Sequence, residues 1–384
     1  MKKEDIASYV IYLLMVALAL ILGFTLIKET FQNIYDSSAY GNQFLFAFLT
    51  IVVGVLLNAF GLELGHLIGG ALGGYSIVSF NVLGFCIYKK EGKTKFGFKN
   101  FDGLTGETVL APKKEKANPK HFVWIPLVLY LIELFGCIIL YYIGDKNRSV
   151  ANSPFRFFAT VAVLWIAISS MIALYNFVPL KLDSMTDGYR LTLISKKINV
   201  EAYNELMRIE NLQREGKEVD KIRVFEEVTD FTASINLMTV YEYLSHKKYD
   251  EALKIIDMMC ENKEKISHET FNKLMAQKLY IMILTLPLED AKKYYDEQID
   301  DKIRRFISSD TSMESLRAYV LIAGLLDESL GEVQYANSRK RKALKLALTS
   351  RAKIEEELYD DAINKVIEIH PEWKEELVSS QESK

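Results

Sequence analysis

Residues 58–70 read NAFGLELGHLIGG and place Glu63 and His66 at the end of an apolar run that begins near residue 44. An ionisable side chain is costly in hydrocarbon, so inside a membrane span it indicates a functional site. Glu63 and His66 are three residues apart and therefore share one face of a helix. The position one helical turn before His66 is occupied by Leu62, which offers no polar group.

The two halves of the chain differ in composition. The 384 residues carry a net charge of −3, but the chain is mostly apolar up to about residue 194 and polar, rich in Glu, Lys and Leu, beyond it. This difference indicates a membrane part followed by a soluble part. Cys86, Cys137 and Cys260 are far apart, which supports neither a disulfide framework nor a cysteine zinc site.

Four segments are long and apolar enough to cross a bilayer: residues 9–27, residues 44–61 with their continuation into the opening motif, residues 122–144 and residues 157–179. The first also resembles a signal peptide because basic residues precede it. Its apolar core is too long for that and lacks a cleavage site of small residues, so a retained span is favoured.

The distribution of lysines predicts the orientation of these spans. The segment between the second and third spans holds nine lysines between residues 89 and 120, whereas the other two connections hold far fewer basic residues. The positive-inside rule then places the amino terminus, this segment and the carboxyl half in the cytoplasm. The second and fourth spans both run inwards, so His66 and Asp187 are expected to meet near the cytoplasmic face.

The lysine-rich segment itself predicts a small β insertion. Residues 75–98 mix aromatic and β-branched residues with polar ones around the turn KKEGK, which indicates two to four short strands. Residues 100–120 are predicted to be a loop. We interpret the basic residues as anchors to anionic lipid and not as a nucleic-acid site.

The opening motif has two interpretations from its residues alone. Gly61, Gly65, Gly69 and Gly73 line one ridge of a helix and favour close packing with another span. Glu63 and His66 either hydrogen-bond to each other or to nearby backbone without a metal, or form part of a site. The residues by themselves do not separate these alternatives.

LELGHLIGG resembles the metal motif of the site-2 protease family of intramembrane zinc metalloproteases, in which a span carries HExxH. The segment NFVP at residues 176–179, followed by TDG at residues 186–188, is similar to the family's aspartate motif. The order of motif, strands, span and aspartate motif matches as well. The resemblance covers roughly residues 44–190.

The resemblance implies a role for each matching residue. Glu63 would be the catalytic base, His66 and Asp187 would bind zinc, and Asn176, Pro179 and Gly188 would belong to the binding region around the aspartate. The first histidine of the motif is replaced by Leu62. A catalytic zinc normally has three protein ligands and a water, so the resemblance implies zinc only if another ligand completes the set. His121, at the start of the third span, is a remote candidate.

The carboxyl half predicts a series of amphipathic helices from about residue 200. Residues 237–262 read as an antiparallel helix pair that resembles a tetratricopeptide-type repeat. No strict 34-residue period follows, so the chain predicts either a helical-hairpin array that binds a peptide or protein, or a helical bundle packed on the membrane part.

We therefore predict an α-helical integral membrane protein with about four spans and a small β insertion, followed by a soluble all-α helical-hairpin domain. The predicted divisions are residues 1–42, a membrane domain at residues 43–194 with the insertion at about 75–110, and a cytoplasmic domain at residues 195–384. A bacterial cytoplasmic membrane fits best, because eukaryotic targeting signals and disulfides are lacking.

Three functions remain open from the sequence. The favoured one is a pseudoprotease that binds a peptide or membrane-protein partner through its membrane groove or helical domain, with zinc weakly bound or absent. The second is an active zinc metalloprotease that cuts a peptide precursor or regulator near the cytoplasmic face. The third is a non-catalytic membrane scaffold. Leu62 favours the first over the second, and retention of Glu63 and Asp187 favours it over the third.

Overall fold

The computed structural model describes residues 3–21, 40–90, 93–98, 106–113, 117–147, 149, 153–179, 186–214, 217, 219, 221–346 and 351–377. Contacts divide the chain into two compact units, Met1–Asn211 and Leu212–Lys384. The division falls near the end of a helix, one helix later than the boundary predicted at residue 194.

The described residues of the first unit form six α-helices, the last of which ends just beyond the unit at Arg214. They are α1 (Lys3–Ile21), α2 (Tyr40–Gly73), α3 (Lys120–Lys146), α4 (Phe158–Phe177), α5 (Asp187–Leu193) and α6 (Lys197–Arg214). Residues Leu45–Gly73 of α2, all of α3 and all of α4 are long and apolar enough to cross a membrane. They correspond to the second, third and fourth predicted spans. The first predicted span overlaps α1 as far as Ile21, and its remaining residues lie outside the described ones.

Close contacts hold α2, α3 and α4 together. Trp165 of α4 lies against Gly54 of α2 and donates from its indole nitrogen to the carbonyl oxygen of Thr50 at 3.0 Å. Pro126 of α3 lies against Gly65, and Gly144 of α3 lies against Ala159 of α4. Small residues at each crossing let the helix backbones approach closely, which is how apolar helices associate in lipid.

The β insertion is a four-stranded antiparallel sheet in the order β3-β2-β1-β4. Its strands are β1 (Tyr75–Val82), β2 (Phe85–Lys90), β3 (Lys93–Phe98) and β4 (Gly106–Pro112). The prediction of a loop over residues 100–120 was wrong at β4. Thr108, Val109 and Leu110 are β-branched or apolar residues, and they pair with β1 and bury their side chains.

Strands β1 and β4 run alongside α2. The link from α2 to β1 is the single residue Gly74, which has a φ of 88°, a left-handed conformation that favours glycine. Leu110 of β4 lies against Gly70, and Thr108 bonds to Glu63. Phe80 of β1 packs edge-on against Phe60 with ring centroids 6.2 Å apart. The sheet therefore runs back along α2 from Gly73 past His66 and Glu63.

The glycine ridge of α2 gives a matched test of close packing. A Cβ at Gly69 would lie 2.2 Å from the carbonyl oxygen of His121, whereas a Cβ at Gly61 would meet no described atom within 4 Å. We expect Gly69→Ala to destabilise the packing of α2 on α3 by about 1–3 kcal/mol, because backbone must move. Gly61→Ala should be neutral or slightly stabilising, since alanine favours helix.

Heating the detergent-solubilised chain and measuring the monodisperse fraction by size exclusion would compare the two variants. An equal loss of thermal stability in both variants would contradict the packing described for α2 and α3.

The second unit is made of helices. They are α7 (Asp230–Ser245), α8 (Tyr249–Cys260), α9 (His268–Thr285), α10 (Leu288–Gln298), α11 (Asp301–Ser309), α12 (Met313–Leu321), α13 (Leu330–Leu346) and α14 (Ala352–Ile369). The helix pair predicted at residues 237–262 is present as α7 and α8, which pack on each other. A π-helical turn, Ile322–Leu326, continues α12.

A buried charged network lies inside this unit. The Arg317 side chain is fully buried and donates to Glu355 and to Gln277, while its guanidinium lies over the rings of Tyr241 and Tyr280. These residues come from α7, α9, α12 and α14. The network thus ties four helices together at the centre of the apolar core.

Candidate functional site

Glu63 and His66 lie together on the inner face of α2, as their spacing predicts. Both side chains are buried, and the Nδ1 atom of His66 lies 3.3 Å from Oε2 of Glu63. The α-helical spacing of three residues places the carboxylate and the imidazole side by side. Their position is within the apolar stretch Leu45–Gly73.

Asp187 reaches the same place from the beginning of α5. The side chain of Thr186 accepts a hydrogen bond from the Tyr189 amide and donates to the carbonyl oxygen of Val178, which fixes the start of this helix. The Nε2 atom of His66 lies 2.8 Å from Oδ2 of Asp187. Gly188 is required next to it, since a Cβ there would lie 2.1 Å from the carbonyl oxygen of Phe177.

Arg190 provides a positive charge on the other side of Asp187. Its Nη1 atom donates to Oδ1 of Asp187 at 3.1 Å, so both carboxylate oxygens are bonded. Burial by itself raises the pKa of Asp187, but the charges and hydrogen bonds of His66 and Arg190 outweigh burial and hold this pKa below its usual value. Both oxygens of the Asp187 carboxylate are therefore bonded within the protein, one to His66 and one to Arg190.

Two further residues complete the cluster, and neither was predicted from the sequence. The hydroxyl of Thr108, on β4, donates to Oε2 of Glu63 at 2.6 Å. The ring of Phe122 stacks on the imidazole of His66 with centroids 4.4 Å apart, and the Arg190 guanidinium lies 5.3 Å from the centre of that ring. Phe122 thus contacts both His66 and Arg190 through its ring.

The remaining predicted site residues lie around the cluster. Leu62 is buried one helical turn before His66. The side chain of His121 is exposed, and its backbone carbonyl lies against Gly69 of α2. Asn176 donates to the carbonyl oxygen of Ile172 within α4, and Pro179 is exposed just beyond that helix. The structure therefore brings Glu63, His66, Asp187 and Gly188 together, but not the side chain of His121.

These residues do not fit the catalytic zinc site that the resemblance to site-2 proteases implies. Nε2 of His66 lies 2.8 Å from Oδ2 of Asp187, a spacing that two ligands of one zinc ion can have, and Nδ1 of His66 faces Glu63. Leu62, at the position of the family's first histidine, offers no ligand atom, so His66 and Asp187 supply only two of the three protein ligands. Among the described residues, no group of three or more His, Cys, Asp or Glu side chains is placed to hold a metal ion.

A second polar cluster lies deeper in the bundle formed by α2, α3 and α4. Asn58 of α2 and Ser169 of α4 both donate to Oε1 of Glu133 on α3, each at 2.8 Å. Asn58 also donates to the carbonyl oxygen of Gly54 at 3.0 Å. Since Asn58, Leu62 and His66 succeed each other at intervals of four residues, Leu62 lies on the helix face between the two polar clusters.

The Glu133 cluster predicts different effects for two substitutions. Glu133→Ala would leave the two donors without their acceptor in an apolar surrounding, and we expect a loss of about 0.6–1.7 kcal/mol per hydrogen bond. Glu133→Gln keeps an acceptor oxygen in the same place and should retain most of the stability. Thermal stability in detergent compares the two variants, and equal losses would show that the negative charge, not the acceptor, holds the helices.

Comparison with known proteins adds no further support. No protein-family model, no curated protein and no solved structure matches this chain.

Proposed function

We propose that this chain is a membrane-embedded, site-2-protease-like protein that binds a peptide or membrane-protein partner and does not cleave it. The resemblance in residues 62–66 and 176–188 supports the scaffold. The incomplete ligand set carries the non-catalytic part of the proposal, because Leu62 replaces the first histidine and no third His, Cys, Asp or Glu among the described residues joins His66 and Asp187. A catalytic zinc normally has three protein ligands and a water, and His66 and Asp187 supply only two ligands.

The presence of ionisable residues inside the spans supports a binding function over a purely structural role. Glu63, His66 and Glu133 are ionisable residues within apolar spans, where an apolar side chain would cost less. Among the described residues, no atom lies within 4 Å of a Cβ built on Gly61, which stands between the contact of Gly65 with Pro126 and the hydrogen bond of Asn58 with Glu133. A partner segment entering there would meet the polar cluster from the α2–α3 side.

The proposed location follows from the lysine distribution. The amino terminus, the β insertion and the helical second unit would face the cytoplasm of a bacterial cell, and the polar cluster would lie near that face. In this arrangement the second unit offers its helical hairpins to the same partner or to its cytoplasmic part.

Comparing cells that produce the native chain with cells that produce Glu63→Gln tests the absence of proteolysis. Glu63→Gln removes the only general base that the resemblance supplies. We expect the same set of membrane-protein fragments in both cells, measured by mass spectrometry of new amino termini. A fragment that requires the glutamate would establish an active protease instead.

A photoreactive benzophenone residue at position 61 tests the binding part. We expect it to cross-link an intact partner in membranes, and the yield to fall when Glu63 and Asp187 are both replaced by alanine. The same residue at position 72, an exposed leucine of α2, serves as the matched control for non-specific contact. Equal cross-linking from both positions would favour the scaffold function.

A further inference from the structure

Helix α14 lies across one face of the second unit. Six of the other helices form three pairs, α7 with α8, α9 with α10, and α12 with α13. Helix α14 packs on α7 and α12, and the Tyr280 hydroxyl of α9 donates to the Leu358 carbonyl oxygen of α14 at 3.1 Å. One helix therefore contacts the first member of every pair and covers the face that these first members share.

The buried side of α14 has the spacing of a helix bound in a groove. Its buried residues are Glu355, Leu358, Tyr359, Ala362, Ile363 and Val366. They recur every three or four residues, as the anchors of an amphipathic helix do when it lies in an apolar groove. On the other side of the helix, Lys353, Glu357 and Asn364 are exposed. Helix α14 therefore contacts the shared face as a peptide ligand would.

The floor of the shared face is positively charged. Arg317 is fully buried there and donates to Glu355 of α14 and to Gln277 of α9. Its guanidinium lies over the rings of Tyr241 and Tyr280. Arginine and tyrosine are enriched at protein interfaces and at their energetic hot spots. A buried ion pair adds little stability compared with apolar packing, so this floor is better suited to recognising a ligand than to stabilising a core.

Helix α14 does not satisfy this cation completely. The Nε atom of Arg317 is buried and has no hydrogen-bond partner among the described residues. Glu355 accepts from Nη1, and Gln277 accepts from Nη2. A guanidinium can bind a carboxylate through two parallel hydrogen bonds. A carboxylate that also accepts from Nε would therefore bind here more strongly than Glu355 does.

Basic side chains at the rim of the face pair with acidic residues of α14. Lys247, just after α7, lies 3.4 Å from Asp361. Lys340 of α13 lies 2.6 Å from Asp360 and 3.5 Å from Glu356. Exposed ion pairs add little affinity, but they select the charge of what binds. The rim therefore favours a helix that is acidic beside its apolar stripe.

We propose that the shared face is a binding site for an acidic amphipathic helix of a partner protein, and that α14 occupies this site until the partner helix replaces it. The partner helix follows the spacing of α14, with a carboxylate for Arg317 and apolar residues three, seven and eleven positions later. The inference rests on the proposed function only in naming a protein partner. The site is separate from the polar cluster around His66, so failure of the cross-link from position 61 would leave this inference standing.

A fluorescent peptide of residues 351–377 tests whether the face accepts a helix from another chain. It is titrated by fluorescence anisotropy into the full-length native chain and into Glu355→Ala, whose own α14 is held less firmly. We expect binding to the Glu355→Ala chain to be about tenfold tighter or more, because a hydrogen-bonded charge pair no longer holds the competing helix.

Two altered peptides give the controls. The Glu355→Ala peptide lacks the carboxylate for Arg317 and should bind the Glu355→Ala chain about tenfold more weakly or worse. The Glu357→Ala peptide should bind like the native one, since Glu357 is exposed and pairs with Lys353 of its own helix. No binding of the native peptide to the Glu355→Ala chain would overturn the proposal. Equal binding of all three peptides would overturn it too, by showing non-specific apolar attachment.

Hydrogen exchange of the native full-length chain gives a second measurement that needs no substitution. We expect the amides of α14 to exchange about tenfold faster or more than those of α9 and α12, because α14 opens separately from the helices beneath it. One common rate for all three helices would show that α14 is an inseparable part of the core and would contradict the proposal, whether or not the Glu355→Ala chain folds.

Discussion

Replacing Leu62 by histidine and Arg190 by alanine in one chain should create a zinc site. The new imidazole would lie one helical turn before His66 on the same face, and Asp187 would lose the guanidinium that occupies its second oxygen. Two histidines at positions i and i+4 with one carboxylate form the three-ligand set of a catalytic zinc. We expect about one equivalent of zinc per chain of this variant, measured by elemental analysis after dialysis against zinc.

The single variants separate the two contributions. Leu62→His with Arg190 in place should bind zinc roughly tenfold to a hundredfold more weakly than the double variant, the range seen when groups around metal ligands are changed. Leu64→His supplies the same imidazole on another helix face and should bind no zinc. If the double variant binds no more zinc than Leu64→His, the cluster has lost the geometry of a metal site altogether.

Glu355→Ala should unfold the centre of the second unit more easily than a substitution elsewhere in it. The change leaves the guanidinium of Arg317 buried and without its carboxylate, which costs about 3–5 kcal/mol. Hydrogen exchange of the α12 and α14 amides in the full-length chain measures this loss. We expect exchange that proceeds through opening of this core to become about a hundredfold faster or more.

Two controls distinguish an uncompensated charge from lost packing. Glu355→Gln retains an acceptor for Arg317 and should show a smaller effect. Arg317→Met combined with Glu355→Leu removes both charges and should recover most of the loss, because apolar side chains can replace a buried ion pair. If the double substitution exchanges as fast as Glu355→Ala, packing and not the unpaired charge explains the result.

The sequence predicted the parts of the site that depend on local periodicity. Glu63 and His66 meet because residues three or four apart share one face of a helix, and the long apolar run of α2 predicted a helix there. The meeting of His66 with Asp187 was predicted from span direction and from the resemblance, and the structure brings the two side chains together. Three described helices also match three of the four predicted spans.

The site residues that the sequence did not predict depend on tertiary packing. Thr108 lies in a segment whose glycine, prolines and lysines predicted a loop. In the structure this segment pairs with β1 as a strand and places Thr108 beside Glu63. At the start of α3, His121 and Phe122 point in different directions, and the orientation of the helix about its own axis places Phe122 against His66. Arg190 is three residues from Asp187, so the spacing on α5 was a signal that could have identified it.

The central proposal is that His66 and Asp187, without a third ligand, do not hold a catalytic metal. Elemental analysis of the native full-length chain, purified without chelator and dialysed against zinc, tests it most directly. We predict well below one zinc per chain, with no change in His66→Ala or Asp187→Ala. One zinc per chain that disappears in both variants would contradict the account.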